Sequence, residues 1–258
     1  MSEIHPTAIV DKKAILGNRV SVGPYTIIEG NVVIEDETRI DSHVYIADGA
    51  RIGKKCHIHK GAVVATLPQD LKFSGEETHF EIGDQTTIRE FCTLNRGTLH
   101  SKKSRIGKNC LLMAYAHVAH DCFVGDNVVL ANAVQMGGHV HINDWSIIGG
   151  TTAIHQFCHI GAHCMVGGGL RVTKDVPPYI LCAHEPVKFA GLNIIGLRRR
   201  GFDRQVIARL KNAYKTIYRS KLNVSQALEK LNAETEKSSE LDYVISFINA
   251  SDRGIIGA

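Results

Sequence analysis

Every sixth residue from Ile4 to Val64 is isoleucine, valine or leucine, and the same phase resumes at Ile82 and holds to Val172 with His100 as the single polar break. A period of six is a multiple of the two-residue strand period and fits poorly with the 3.6 residues of a helical turn. The chain is therefore expected to form very short strands joined by tight turns. Hexapeptide repeats of this kind denote a parallel β-helix.

Chains built this way close three hexads into one triangular coil of about 18 residues, wound left-handed against the usual crossover preference. The apolar beat then fills the prism interior, and stacked coils lie about 4.8 Å apart. The position four after each beat is small or β-branched, as at Ala8, Val20, Thr26 and Ala116. Cys56, Cys92, Cys110, Cys122, Cys158 and Cys164 all fall in that inward slot, where a thiol packs as a small hydrophobe. A disulfide or metal framework is the competing reading, but the total of seven cysteines is odd.

The 258 residues suffice for one large domain or two modest ones. No apolar run approaches the roughly 20 residues of a membrane span, and no secretory signal opens the chain, so a cytoplasmic protein is the default. The net charge of +4 is concentrated in "GLRRRGFDRQVIARLKNAYKTIYRSK", which suits phosphate groups, an acidic protein or a solvated helix face; nucleic acid is not expected. The beat lapses near 65–81 and near 96–105, which read as loops leaving a rigid prism. "DVPPYI" ends the repeat at Ile180. Beyond it Asp203 can cap a helix to about Arg219, followed by "NVSQALEKLNAE" and "ELDYVISFINAS". The expected organisation is a mainly β left-handed parallel β-helix over 1–180 and a helical domain over 181–258 that covers one open end.

Eighteen-residue stacking puts Gly138 over His120, Gln156 over Gly138, and His139 over Asp121. His117, His120, Asp121, Gly138, His139, His155 and Gln156 should thus share one polar patch. His57, His59, His79, His100, His141, His159 and His163 read as exposed turn positions. His120 differs, because it has an adjacent carboxylate and a glycine above it whose N–H can meet an oxyanion. Imidazole accepts a proton at neutral pH, so general-base catalysis is one reading. A zinc site built on His117, His120 and His139, as in β-helical carbonic anhydrases, is the other. With the cysteines turned inward, a covalent acyl-enzyme is disfavoured.

"PQDLKFSGE", "IREFCTLNRGT", "NCLLMAYAHVAHDC", "GGHVHINDWSIIGGTTAIHQFCHIGAHCMVGG" and "GLNIIGLRRRGF" together resemble the acyl carrier protein-dependent UDP-N-acetylglucosamine O-acyltransferases of lipid A biosynthesis, across essentially the whole chain. The resemblance implies transfer of a 3-hydroxyacyl chain from acyl carrier protein to the 3-position of the sugar, no cofactor or metal, and a homotrimer with sites between subunits. It implies His120 as general base, Asp121 as its support and the Gly138 N–H as oxyanion donor. By the same resemblance Asp70, Lys72, His117 and His139 contact the sugar region, and His155 and Gln156 the nucleotide side. Asn193, Arg199 and Arg200 reach uridine and phosphates, a task for which guanidinium is suited. The resemblance further implies that Gly168 lines the cleft that sets acyl length, with Leu170 or Arg171 able to block it. Arg204, Arg209 and Lys211 are candidates for docking the carrier.

Two departures from the family pattern stand out, the first bearing on a uridine contact and the second on the acceptor. Ile195 stands where the family often has Glu, and Asn95 where it often has His. Some relatives take a 3-amino sugar and make an amide, so hydroxyl and amine acceptors both stand. The N-acyltransferase later in the same pathway is disfavoured, because the repeats begin at Ile4. A non-catalytic solenoid would not need the polar patch.

Overall fold

The computed structural model describes residues 2–233 and 238–258. Among the described residues twenty-eight strands, most only two residues long, form three sheets of eleven, nine and eight strands. Successive strands of the repeat take successive walls, so each pairs in parallel with the one three hexads later: His117 with Gln135, Phe123 with His141, Val129 with Ile147. The prism winds left-handed. Its first wall runs from Glu3–Ile4 through Ile147–Ile148, its second carries His117–Val118 and Ala153–Ile154, and its third carries Phe123–Val124 and His159–Ile160.

The beat lines the interior, with Val22, Ile58, Leu94, Leu130 and Val166 all buried. Ile4 is 45% exposed, because no coil stacks beneath the first one. All seven cysteines are buried and unpaired. Burial pushes the Cys110 thiol up to about 11 and the Cys122 thiol up to about 12, so these sulfurs stay protonated packing groups. The exposed-turn assignment holds for His100 but not for the other six: His59 precedes its turn and is only partly exposed, and His163 lies in a turn but is partly buried. His57, His79, His141 and His159 sit on strands, as the outward partner of an inward beat residue or its neighbour, and His141 is half-buried. In a strand of two residues one side chain must face out, and a polar residue there looks like a turn residue in the sequence.

Register shifts measure the two excursions. His57 pairs with Thr87, thirty residues on rather than eighteen, and Thr93 pairs with His117, twenty-four on. Strands Val63–Thr66, His79–Ile82, Thr93–Asn95 and Lys103–Ile106 flank the loops, which are narrower than the lapse in the beat because Phe80 and Ser104 are themselves paired and buried.

The first-wall sheet continues through Ile180–Ala183 and an antiparallel strand Lys188–Leu192 before the helices begin. These are α1 (Ile194–Arg199), α2 (Arg204–Arg219), α3 (Val224–Asn232) and α4 (Ser239–Asn249). Asp203 caps α2, and Asn223 with Gln226 forms a capping box on α3. The end of the "NVSQALEKLNAE" stretch, Glu234, lies outside the described residues. The helices close the upper end of the prism: the Tyr214 hydroxyl donates to the Pro178 carbonyl at 2.6 Å, and the Tyr243 hydroxyl accepts from the Ala162 N–H at 3.2 Å. No helix among the described residues is long and apolar enough to cross a membrane.

Candidate active site

The corner between the second and third walls carries His120, Gly138 and Gln156 in one column, each the first residue of its turn. The second turn residues, Asp121, His139 and Phe157, all take the left-handed conformation, with φ of 58°, 59° and 62°. Asp, Asn and His tolerate that region better than most side chains. The column is held by the His139 N–H donating to the His120 carbonyl at 3.1 Å and the Phe157 N–H donating to the Gly138 carbonyl at 3.1 Å.

His120 Nδ1 donates to Asp121 Oδ2 at 2.7 Å. The Asp121 side chain has no exposed surface, whereas that of His120 keeps 13%. Asp121 also accepts from the Thr98 N–H at 3.0 Å, the Thr98 hydroxyl at 2.8 Å, the Ser101 N–H at 3.2 Å and the Ser101 hydroxyl. Burial pushes this carboxyl up, but the hydrogen bonds from His120, Ser101 and Thr98 outweigh it and hold Asp121 well below the usual carboxylate range. An ionised Asp121 fixes the proton of His120 on Nδ1 and leaves the Nε2 lone pair free.

Gly138 fits this ring and nothing larger would. A Cβ there would lie 2.6 Å from His120 Cε1 and 2.7 Å from Nε2. Among the described residues no acceptor meets the Gly138 N–H. A lone-pair base and an unengaged backbone donor therefore lie side by side, which is the pairing that hydroxyl deprotonation and oxyanion stabilisation require.

The surroundings are aromatic and weakly basic. His139 stands edge-on to His120 at 5.2 Å and to His100 at 4.8 Å, and stacks on Phe157 at 4.4 Å. Burial holds the imidazoles of His139 and His117 below the ordinary range. His117 Nδ1 hydrogen-bonds with the Thr93 hydroxyl at 2.7 Å, so the zinc triad of His117, His120 and His139 is not the group the fold assembles. The donor atoms that converge are those of His120, Asp121 and His139, and there Asp121 is already saturated by five hydrogen bonds.

His155 and Gln156 are exposed one coil above. Asp70 and Lys72 share a turn of the first loop, where the Lys72 N–H donates to Asp70 Oδ1 at 2.9 Å, and Asp70 lies close enough to act on His139 electrostatically. The two loops are joined, with Glu76 accepting from the Leu99 N–H at 3.1 Å and Arg96 lying over Phe73 at 5.9 Å. Asn95 is buried and donates to Thr66 Oγ1 and the Leu67 carbonyl, anchoring the first loop where it leaves the prism.

One chain does not bring the remaining expected residues to this edge. Asn193 caps α1 and donates to the His163 carbonyl at 2.9 Å, while Arg200 donates to the Trp145 carbonyl at 2.8 Å and stacks on its ring. These contacts place Asn193, Arg200 and the exposed Arg199 at the corner between the third and first walls. Gly168 is exposed at the remaining corner. Ile195 on α1 is 67% exposed. Thr98, Ser101 and His100 are the site residues that sequence reasoning missed. Their signal was the lapse of the beat beside the histidine column.

The low acid affinity of Asp121 has a stability consequence. A carboxyl depressed in the folded state stabilises the fold above the unfolded value of about 3.9, and that contribution is lost as pH falls through the acid range. Urea unfolding between pH 7 and 3 should show a steeper acid limb for the natural chain than for Asp121→Asn; superimposable slopes would refute this.

A triangular β-helix of six-residue repeats marks the class of hexapeptide-repeat transferases, and the family described as bacterial transferase hexapeptide matches residues 31–66 and 103–138. The second domain of UDP-N-acetylglucosamine O-acyltransferase matches residues 175–256. The acyl-acyl-carrier-protein–UDP-N-acetylglucosamine O-acyltransferase of Herminiimonas arsenicoxydans is 48% identical over 99% of this chain and 100% of its own. Crystal structures of UDP-N-acetylglucosamine acyltransferase from Bacteroides fragilis (45% identity, TM-score 0.96, 98% of this chain and 99% of that one) and of the Acinetobacter baumannii enzyme (42%, 0.95, 98% and 99%) are similar throughout. The chain belongs to the UDP-N-acetylglucosamine O-acyltransferase family.

Proposed function

We propose that this acyltransferase moves a 3-hydroxyacyl chain from acyl carrier protein to the 3-hydroxyl of the glucosamine unit of UDP-N-acetylglucosamine, the first step of lipid A biosynthesis. The observation that carries the mechanism is the Asp121–His120 hydrogen bond beneath Gly138. His120 Nε2 takes the proton of the sugar hydroxyl as its oxygen bonds to the thioester carbon. The oxyanion accepts from the Gly138 N–H, as in other acyl transfers where a backbone donor meets developing charge. Collapse breaks the C–S bond, and the carrier's thiolate recovers the proton from the imidazolium. Asp121 remains ionised throughout and stabilises the imidazolium.

The working unit in this reading is a cytoplasmic homotrimer. The separation of His120 from Asn193, Arg199 and Arg200 by a whole wall supports it: a neighbouring copy would set those residues and Gly168 against the His120 edge. Asp70, Lys72, His117 and His139 then hold the sugar, His155 and Gln156 the nucleotide side, and the basic stretch from Arg204 to Lys211 the carrier.

The full-length relatives are named for O-acylation, which favours the hydroxyl over the amine. An equimolar mixture of UDP-N-acetylglucosamine and its 3-amino analogue should yield chiefly the ester product, measured by mass spectrometry. Predominant amide would overturn the acceptor, and hydrolysis of the thioester without transfer would overturn the reaction.

A further inference from the structure

Some coils below the His120 edge, a second group of ligating side chains meets at the end of the first wall. His57 is the outward residue of its strand and His59 immediately precedes the next turn, so the two flank the inward Ile58 and face the same way. Asp41 lies one coil beneath His59, its N–H donating to the Ile58 carbonyl, and the His59 N–H in turn donates to the Ile88 carbonyl of the coil above, next to Glu90. Three successive coils thus deliver two imidazoles and two carboxylates to one spot.

The distances are those of a coordination shell. His57 Nε2 lies 3.1 Å from Asp41 Oδ2, His59 Nδ1 lies 3.4 Å from the same oxygen, and His59 Nδ1 lies 3.6 Å from Glu90 Oε1. The donor atoms of Asp41, His57 and His59 all fall within 4.8 Å of one another. Bonds of roughly 2.0–2.1 Å to a tetrahedral zinc ion set its donors about 3.3 Å apart, which is the spacing observed. The two rings stand 3.8 Å apart with their nitrogens turned to the same carboxylate oxygen, and His59 makes a hydrogen bond with neither carboxylate among the described residues. The partly exposed group borders an open depression over Ser21, Arg39 and Asp41 that gives an ion a way in.

We propose that Asp41, His57 and His59 bind a divalent ion of the zinc class, with Glu90 or water as the fourth ligand. Arg39 engages Asp41 Oδ1 and leaves Oδ2 to the ion, while Arg89 grips both Glu90 oxygens and weakens it as a ligand. Without an ion Asp41 Oδ2 accepts from His57 Nε2, a hydrogen bond that coordination of both atoms replaces. None of the site's members is among the residues assigned above to acyl transfer.

The test is titration of untagged, chelator-stripped full-length protein with zinc(II) and with cobalt(II), followed by calorimetry and by the visible absorption of tetrahedral cobalt. One ion per chain should bind. The His57→Gln/His59→Gln pair should weaken binding at least 10²-fold and abolish the tetrahedral spectrum, yet leave acyl transfer and the circular dichroism spectrum unchanged. The separate His120→Ala chain should bind the ion as the natural protein does, which keeps the alternative cluster of His120, Asp121 and His139 apart from this one. Asp41→Asn gives a second, milder variant should the double one fail to fold. Absence of binding in the natural chain, or binding lost in His120→Ala and kept in the double variant, would overturn the proposal.

Discussion

His120→Ala should lower kcat for acyl transfer by roughly 10²–10⁴, the range that a positioned general base supplies, and leave KM and thermal stability close to those of the natural chain. The ring is partly exposed at a corner and its backbone bonds do not depend on it, so its removal leaves the stacked coils intact. Asp121 would keep its four hydrogen bonds from Thr98 and Ser101, and the second loop would stay in place. Steady-state kinetics with a melting curve separates this from a folding defect: a large fall in both would point to a structural role.

Gly138→Ala should be nearly as damaging although the added group is one methyl. Its Cβ would fall 2.6 Å from His120 Cε1, closer than real side chains approach. The ring cannot retreat freely, because its Nδ1 is held at 2.7 Å by a carboxylate that four other donors fix. Either that hydrogen bond breaks or the 138 backbone withdraws, and each shifts the proposed base against the N–H proposed to meet the oxyanion. Displacements of this size cost about 10²-fold in rate. Kinetics of Gly138→Ala should show this loss in kcat with stability close to natural, since the added methyl presses on the His120 ring at the corner and not on the aliphatic residues of the prism interior. Turnover within a few-fold of the natural chain would mean that the close approach has no catalytic use.

The six-residue beat sufficed to predict the prism, because the inward position recurs at fixed phase and the thiols of Cys92, Cys110 and Cys122 repeat at the same slot. Eighteen-residue stacking placed Gly138 over His120 for the same reason: between Leu111 and Val172 the coils are unbroken. Where the register slips, that arithmetic stops. Thr98 and Ser101 reach Asp121 from a loop that no repeat phase locates, and the grouping of Asp41, His57, His59 and Glu90 spans the longer first excursion. The corner that α1 occupies is decided by side-chain packing of Trp145, His163 and Asn193, which leaves no periodic trace.

The central claim, that His120 removes the proton from the sugar hydroxyl, is tested most directly by adding imidazole to the His120→Ala chain and following ester formation. The account predicts transfer that is restored in proportion to the concentration of neutral imidazole, with no effect on the natural chain. A His120→Ala chain that transfers within a few-fold of the natural rate and ignores imidazole would contradict it.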